Sequence, residues 1–523
     1  MFGKKTEFSP APRGPLFILK SSDGRCSPSP HSRSIMNVGR TSVILALLAS
    51  VMTPGSAHAA STTTTTVATS APIASALVLP APNKGVFEGY LPALACTSAG
   101  NCVAAGTYTD GNGNQQGVLF TESAGTWQTG VAITPPTGAV STSQGVTIYD
   151  ASCGAAGSCS VIGTYLDANG NQHSFVVNQV NGAWQSGVAL TLPANALTNG
   201  LQSAPRSISC ATAGNCVVVG TYNTNAQSFE THGYVANEIN GTWHSASELT
   251  MPSDANANPM VNESQVICWA AGNCDAVGSY IDNAGVTHAI VSQSTHFTWH
   301  TARALLLPAA ASAFAGASFS EITCATPSNC VTVGSFNNAA GALEPMAASM
   351  INGVWSRAVA ITLPTGAGAN PATFYWGYKG VSCATPTNCA FGGDYVTSTG
   401  THQGFLVNER NGTWQTATTL HLAVGAKYAG ANGGVIAVVC QSAGVCTAAG
   451  AFVNAKGLYQ TELVRETNAT WGAPLVIGLP KNAPTVGVNG GVYGLHCFTS
   501  TSCQVLGSYL ATGSTYEGFV VTA

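Results

Sequence analysis

Eight cysteine pairs recur along the chain at a nearly constant interval, and this repeat constrains the fold more than any other feature. The two cysteines of each pair are six positions apart, and successive first cysteines are separated by 56 to 59 residues. A fixed period held over most of a chain is typical of repeat architectures, in which each unit buries its faces against its neighbours. The pairs are Cys96/Cys102, Cys153/Cys159, Cys210/Cys216, Cys268/Cys274, Cys324/Cys330, Cys383/Cys389, Cys440/Cys446 and Cys497/Cys503.

These pairs predict eight local disulfides, each joining the two cysteines of one pair. Only Cys26 of the 17 cysteines lies outside them. An even number of cysteines at one constant spacing, without Cys-x-x-Cys motifs, is typical of proteins that fold in an oxidising compartment. Zinc is the alternative, but two cysteines per unit would leave a four-ligand site half empty. We therefore expect no metal site and no cofactor.

The N-terminal segment indicates export. Residues 36–59 have the features of a secretory signal peptide: Arg40 supplies a positive charge, an apolar stretch follows, and small residues form a cleavage site. Residues 1–35 precede this signal and are expected to be a non-native or disordered extension. The Thr/Ser-rich residues 60–72 are expected to be a disordered lead-in. Residues 73–523 are then a single secreted domain, extracellular or periplasmic.

The charge balance excludes several kinds of partner. Seven of the 17 Lys and Arg and two of the 21 Asp and Glu precede residue 60, so residues 60–523 keep 10 basic and 19 acidic residues and a net charge near −9. A phosphate backbone requires clustered Lys and Arg, so nucleic acid is not an expected partner. No stretch after the signal is long and apolar enough for a membrane span. We expect a monomer with an unknown extracellular ligand, either carbohydrate or protein.

The sequence of each repeat predicts four β-strands separated by Gly/Asn turns. In the second copy the first strand ends at Cys153, and Asn181-Gly182 lies between the third and fourth strands. Asn-Gly is the strongest short hairpin signal, because both residues tolerate positive φ. Four antiparallel strands in each of eight units predict an all-β fold, an eight-bladed β-propeller. A β-solenoid is the alternative architecture.

The two ends of the chain predict how the ring closes. The eighth copy stops after its third strand, and residues 75–80 resemble the fourth strand of the second copy. The N-terminal segment is therefore expected to complete the last blade, which would remove the exposed sheet edges of an open array.

Four further positions recur in the copies. A glycine four residues after the second cysteine, and an aromatic residue two positions later, are expected to pack against the next blade. The tryptophan that opens the fourth strand is expected to pack between blades as well. A polar residue at the start of the third strand is expected to bond to the neighbouring blade's loop, although its three histidines also suit a metal. These polar residues are Gln116, His173, His232, His288, Glu344, Gln403, Gln460 and Glu517.

Two groups of residues are candidates for ligand contact because the repeat does not account for them. The first strand should line the central channel, where propellers commonly bind ligands. Its candidates are Tyr149, Asp150, Arg206, Glu263, Glu321 and Tyr493. The second group is an aromatic cluster before the sixth pair, suited to a carbohydrate or peptide platform or to a local hydrophobic plug. Its members are Phe374, Tyr375, Trp376, Tyr378 and Lys379.

The unit Cys-x5-Cys-x-[Ala/Val]-x-Gly-x-Tyr…Asn-Gly-Thr-Trp resembles repeats of secreted bacterial β-propeller-like proteins of unassigned function. The resemblance implies architecture and no activity. It does not extend to the sialidases, because their Asp-box turn is replaced here by Asn181-Gly182-Ala183-Trp184.

The function favoured by the sequence is a secreted ligand-binding or cell-surface interaction module for a carbohydrate, a peptide or an envelope partner. The alternative is an extracellular carbohydrate-active hydrolase or lyase that uses channel residues. Glycosidases need two carboxylates about 5–9 Å apart, and Glu263 and Glu321 on adjacent blades are the pair to examine. A purely structural coat protein is a third possibility.

Overall fold

The structure is a computed structural model that describes residues 72–86, 90–200, 203–225, 230–312, 316–372, 380–423, 426–428, 434–483 and 490–523. The side chains of residues 370–372, 427–428 and 490 are not described. The predicted extension, signal peptide and all but the last residue of the lead-in fall outside the described residues. Within the described ranges the regular secondary structure is β-strand, and no helix is long and apolar enough to cross a membrane.

Eight antiparallel sheets form a closed ring of blades, which confirms the predicted fold class. The first strand of each blade is the innermost, since the first strands of successive blades are neighbours round the whole ring. From blade 1 to blade 8 the first strands are Asn83–Val86 with Ala93–Ser98, Val146–Ala155, Ser203–Thr212, Asn262–Ala270, Ala317–Thr326, Ala367–Ala372 with Val381–Thr385, Lys427–Tyr428 with Gly434–Ser442, and Gly490–Thr499.

The second and third strands occupy the middle of each sheet. The second strands are Asn101–Asp110, Ser158–Leu166, Asn215–Asn223, Asn273–Ile281, Asn329–Asn337, Asn388–Thr397, Val445–Val453 and Ser502–Leu510. The third strands are Gln115–Ser123, Gln172–Val180, Thr231–Ile239, Thr287–Thr295, Leu343–Ile351, His402–Arg410, Tyr459–Thr467 and Tyr516–Thr522. Consecutive residues Val217, Val218 and Val219 are all buried, because a strand between two blades is covered on both faces.

The outer, fourth strand of each blade is made of two short pieces. In blades 1 to 7 these are Thr126–Trp127 with Val131–Ala132, Ala183–Trp184 with Val188–Ala189, Thr242–Trp243 with Ser247–Glu248, Thr298–Trp299 with Arg303–Ala304, Val354–Trp355 with Val359–Ala360, Thr413–Trp414 with Thr418–Thr419, and Thr470–Trp471 with Leu475–Val476. In blade 8 the fourth strand is Ser75–Ala76.

The N-terminal segment closes the ring as the sequence predicts. Ser75 pairs with Val520 and Ala76 with Phe519, on the third strand of blade 8. The carbonyl of Val78 then accepts the N–H of Gly130 in blade 1 at 2.7 Å. Leu77 packs between the last and first blades, in a cluster that joins side chains of both. One segment therefore both completes blade 8 and joins it to blade 1.

All eight predicted disulfides are present, with S–S distances from 1.92 to 2.07 Å. Each joins residues directly opposite one another on the first and second strands, as in the pair of Cys210 and Cys216. A bridge that closes so short a loop contributes about 2 kcal/mol by the loop-entropy account.

The second cysteine of each bridge is buried and packs against the preceding blade. These buried cysteines are Cys102, Cys159, Cys216, Cys274, Cys330, Cys389, Cys446 and Cys503. Cys274 of blade 4, for example, shares a cluster with Val217 of blade 3, and Cys503 of blade 8 shares one with Ala449 of blade 7. The first cysteines are half-buried, except for the buried Cys497. The second cysteines therefore offer no surface to a ligand and have a structural role.

The recurring glycine has a different role from the one predicted. A Cβ on Gly163 would lie 2.4 Å from the carbonyl oxygen of Thr147 and 2.8 Å from the ring of Phe175, both in the same blade. Its space is therefore filled by its own blade and not by the ring of the next one. The recurring aromatic residue does pack between blades, since Tyr222 of blade 3 lies in a cluster with Val176 of blade 2.

The Asn-Gly turns and the tryptophans behave as predicted. Asn181 and Gly182 have φ values of 50° and 82°, the left-handed conformation that this hairpin turn requires. The indole N–H of Trp184 donates to the hydroxyl of Thr121 in the preceding blade, at 3.1 Å. The tryptophan thus links neighbouring blades.

The polar residues at the start of the third strand mostly bond within their own blade, contrary to the prediction. Their partners lie at the start of the turn between the second and third strands, so they stabilise that turn. The pairs are Asp167 with His173, Asp282 with His288, Asn338 with Glu344 and Asn454 with Gln460. Gln116 is different, because it donates to Ser141 in the connection to blade 2.

Candidate functional site

A β-bulge interrupts the first strand at one common place in the blades whose first strand is continuous there. In blade 2 the register jumps from Ile148 to Asp150, and the same shift occurs in blades 3, 4, 5, 7 and 8. A bulge leaves one residue without a partner on the second strand and redirects its side chain. The residues at this position are Tyr149, Arg206, Ser264, Ser320, Ile436 and Tyr493.

Several bulge residues are more exposed than the residues beside them. Arg206 is exposed although Pro205 and Ser207 are buried, and Tyr493 is half-buried between two buried neighbours. The bulge is thus the place on the innermost strand where a side chain is released from packing between blades.

Three consecutive blades have a tyrosine in this region: Tyr493 and Tyr149 are bulge residues of blades 8 and 2, and Tyr90 precedes the strand piece Ala93–Ser98 of blade 1. The rings of Tyr493 in blade 8 and Tyr90 in blade 1 meet edge to face, with centroids 5.9 Å apart and an interplanar angle of 80°. Tyr149 of blade 2 is half-buried, with part of its ring packed toward blade 3. Sequence reasoning missed Tyr90, because blade 1 has a divided first strand and its register could not be aligned with the others.

Arg206 follows these tyrosines on blade 3. It makes no hydrogen bond or ion pair with the residues that the structure describes. Burial raises the pKa of the neighbouring Tyr234 hydroxyl, and the positive charge of Arg206 partly offsets that rise. Tyr149 and Arg206 occupy the same bulge position on the first strands of adjacent blades. We call Tyr493, Tyr90, Tyr149 and Arg206 the tyrosine arc.

Asp150 is occupied by contacts between blades. One of its carboxylate oxygens accepts the N–H of Ala151 at 2.8 Å. The other accepts the hydroxyl of Ser207 and the N–H of Ile208 in blade 3, both at 3.2 Å. This predicted channel residue thus joins two blades.

Glu321 is used in a similar way one residue beyond the bulge of blade 5. It is 8% exposed, and its Oε2 accepts the N–H of Val381 in blade 6 at 3.0 Å. Gln265 makes the matching contact from blade 4 to Ile322 at 2.6 Å. The position just after the bulge therefore joins successive blades.

Glu263, also predicted to line the channel, is instead fully buried between blades 3 and 4. Neither of its carboxylate oxygens has a hydrogen-bonding partner among the described residues. Burial raises the pKa of this carboxyl from about 4.5 to about 8, so it is mostly protonated at neutral pH. Ile148 and Phe319 occupy the same position in blades 2 and 5. Glu263 and Glu321 are therefore both part of the contacts between blades.

The aromatic cluster Phe374, Tyr375, Trp376, Tyr378 and Lys379 lies outside the described residues, so its role stays a prediction. Its described flanks are the two pieces of the first strand of blade 6. Ala372 pairs with Tyr395, and Val381 pairs with Phe391.

A cleft of about 270 Å³ lies at the outer part of the contact between blades 6 and 7. Arg410, Gln415, His421 and Trp471 are among its lining residues. Arg410 donates to the carbonyl of Ala469, and Trp471 donates its indole N–H to Asn408 at 3.3 Å. No sequence signal marked this cleft, because it results from how two blades meet.

A group of metal-ligand type occurs at the edge of blade 4. Single atoms of Asp254, Asp282 and His288 lie within 4.8 Å of one another. Their hydrogen bonds connect them to the turn: Asp282 accepts two backbone N–H groups and contacts His288, and Asp254 accepts the hydroxyl of Tyr280 at 2.7 Å. The arrangement is the repeat's ordinary turn network with one added carboxylate.

A second such group joins Asp275 of blade 4 to Cys324 and Cys330 of blade 5. The two sulfurs are bonded to each other, so neither is the thiolate that a metal would require. Asp275 accepts the side-chain N–H of Gln293 at 2.7 Å and the indole N–H of Trp269 at 3.3 Å. This group is therefore a structural contact between two blades.

The solved structures to which this chain is similar match it at low sequence identity. No protein-family model matches the chain, and no curated protein matches its sequence. An ulvan lyase of polysaccharide lyase family PL25 is 9% identical with a TM-score of 0.44, covering 86% of this chain and 96% of that one. The β-propeller domain of the Trilobed protease from Pyrococcus furiosus is 10% identical with a TM-score of 0.39, covering 72% and 95%. A Dyadobacter fermentans protein of unknown function is 8% identical with a TM-score of 0.35, covering 87% and 98%.

Proposed function

We propose that this protein is a secreted binding module that holds a carbohydrate ligand on the tyrosine arc. One observation carries the proposal. The bulge residues of blades 8, 2 and 3 are Tyr493, Tyr149 and Arg206, and Tyr90 of blade 1 packs edge to face against Tyr493. Export is proposed from the signal-like residues 36–59 and from the eight disulfides.

The chemistry of the arc suits sugars better than apolar ligands. A tyrosine has a flat apolar ring that covers the C–H face of a sugar and a hydroxyl that bonds to its oxygens. Tyrosine also has few rotatable bonds, so little entropy is lost on binding. The disulfide-linked first and second strands form a rigid frame, which lowers the ordering cost further.

The described residues do not favour the hydrolase or lyase alternative. Its candidate carboxylates were Glu263 and Glu321, and both lie between blades, the first buried without a partner and the second bonded to Val381. Asp150 is bonded to blade 3. A pair of carboxylates flanking one glycosidic bond would need at least one of them to face the ligand.

A glycan array on the purified secreted protein, followed by affinity measurements, tests the proposal. Replacing Tyr149 or Tyr493 with Ala should weaken binding by about 1–3 kcal/mol each, roughly 5- to 150-fold, the range of an aromatic anchor. The control is Tyr459→Ala, a half-exposed tyrosine on the third strand of blade 7, which should leave affinity unchanged. Thermal unfolding of each variant separates lost binding from lost folding.

Two results would refute the site. If no glycan showed saturable binding, the proposed binding function would be wrong. Binding that survives both arc substitutions but is lost in the double variant Tyr375→Ala/Trp376→Ala would move the site to the aromatic cluster before blade 6.

A further inference from the structure

We infer that the ligand is an acidic glycan, carrying carboxylate or sulfate groups, and that Arg206 recognises the acid. This inference rests on the proposed function and narrows the class of ligand. It starts from the charge of the bulge positions. Among the six bulge residues that the structure describes, Arg206 is the only charged one; the others are tyrosine, serine and isoleucine.

Arg206 is exposed and makes no hydrogen bond or ion pair within the described ranges, whereas Arg357 and Arg410 donate to backbone carbonyls. Arg303 is exposed in the same way, but it lies on the outer strand of blade 4. Arg206 is therefore distinguished by its place on the innermost strand, in a chain whose residues 60–523 contain only 10 basic residues against 19 acidic ones.

The carboxylate oxygens of Asp150, one position beyond the bulge of the adjacent blade, accept donors from Ala151, Ser207 and Ile208. No hydrogen bond joins Asp150 to Arg206 among the described residues, so the guanidinium donors of Arg206 can serve a ligand. A guanidinium is charged at every physiological pH and binds carboxylate and sulfate oxygens in a fork of two hydrogen bonds.

The position of Arg206 also fits a sugar acid. Arg206 and Tyr149 occupy the same bulge position on the first strands of adjacent blades, and Tyr149 packs against a cluster that includes residues of blade 3. A sugar ring that covers Tyr149 would present its substituents toward blade 3. An acidic substituent at that side would meet the guanidinium, whereas a neutral sugar would leave it solvated and gain nothing from it.

Titration calorimetry on the secreted protein tests the inference with three probes: oligogalacturonate for carboxylate, a sulfated galactan oligosaccharide for sulfate, and a neutral galactan oligosaccharide. We expect tight binding to at least one acidic probe, and the one that binds identifies the acid. Arg206→Gln should weaken that binding about 10- to 100-fold, the effect of losing a charge-assisted bond, and should leave the neutral probe unaffected. Arg206→Lys should restore part of the loss.

The matched control is Arg303→Gln, an exposed arginine on the outer strand of blade 4, which should not change the affinity. Equal losses in the two variants would show general charge attraction and overturn the inference. The inference would also be overturned if the neutral probe bound as tightly as the acidic probes and its binding depended on Tyr149 but not on Arg206. In that case the proposed function would still stand. Failure of all three probes, or binding that depends on neither residue, would count against the tyrosine arc itself.

Discussion

At the level of single residues, two buried glutamates occupy positions where the repeat otherwise has apolar side chains. Glu263 and Glu462 are both inaccessible to solvent, in positions that other blades give to apolar residues such as Ile148 and Phe405. Burial raises the pKa of each carboxyl to about 8, and in Glu462 the Ala423 backbone N–H offsets part of this rise. In the folded protein both side chains are therefore mostly protonated at neutral pH.

The raised pKa predicts that stability falls as pH rises from about 4.5 to about 8. Below 4.5 both states hold the proton; above it the unfolded chain releases the proton while the folded chain retains it, which favours unfolding. At pH 7 the cost from Glu263 is about 3 kcal/mol. Urea unfolding of Glu263→Gln should show a shallower decline between pH 5 and 8, and Glu263→Ile should raise stability at pH 7.

The control for this prediction is Glu344→Gln, at a half-exposed position on the third strand of blade 5, which should leave the pH dependence as it is. If the stability of Glu263→Gln declined with pH as steeply as that of the unchanged protein, a raised pKa of the Glu263 carboxyl would be contradicted.

At the level of the strand, the same pair of hydrogen bonds between blades recurs at one position of the third strand. In blade 6, the side-chain N–H of Asn408 donates to Glu466 of blade 7, and its oxygen accepts the indole N–H of Trp471 at 3.3 Å. Asn178 makes the same two bonds with Glu238 and Trp243 of blade 3. Burial raises the pKa of both glutamates, and the asparagine N–H opposes that rise.

Loss of this asparagine should therefore destabilise the contact between two blades. Asn408→Ala leaves a buried carboxyl and an indole N–H without their partner, at a cost of about 1–3 kcal/mol. Asn178→Ala should cost a similar amount, and the two effects should add because the residues lie in different contacts. Chemical denaturation of the single and double variants measures this. The matched control Asn352→Gly, at an exposed turn, should have little effect, and a loss equal to that of Asn408→Ala would contradict the proposed role.

The strand scale also shows what the sequence could and could not predict. The period, the cysteine pairs and the Asn-Gly turns are local signals, and they correctly predicted four strands per blade and every disulfide. The bulge has no such signal, since its residue is Tyr149 in one blade and Ser320 in another. The sequence analysis assigned Glu263 to the channel because it lies on the first strand, but the residue just before the bulge is directed between blades. The tyrosine arc could thus be predicted only in part.

Closure of the ring is the decisive feature at the scale of the whole molecule. The first and last blades are far apart in sequence, and residues 73–80 hold them together. Leu77 and Leu79 are 4% and 8% exposed, whereas Val78 between them is 59% exposed. The buried pair packs with Val520 of blade 8 and Phe120 of blade 1. The sequence predicted this closure because the missing fourth strand and the unassigned N-terminal segment match.

We expect neighbouring substitutions in residues 73–80 to have unequal effects on stability. Leu77→Ala should lower the free energy of unfolding by about 2–4 kcal/mol, the cost of a cavity in a packed core. Val78→Ala, the control, should cost less than about 0.5 kcal/mol because this side chain is exposed. Guanidinium unfolding of the two variants provides the measurement, and equal losses would mean that the segment does not close the ring as described.

The proposed site can be tested by a crystal structure of the protein with the best acidic oligosaccharide bound. We expect sugar rings against Tyr493, Tyr90 and Tyr149, with an acidic group within hydrogen-bonding distance of the Arg206 guanidinium. A sugar bound in the cleft between blades 6 and 7, or on the outer strands, with the tyrosine arc empty, would contradict it.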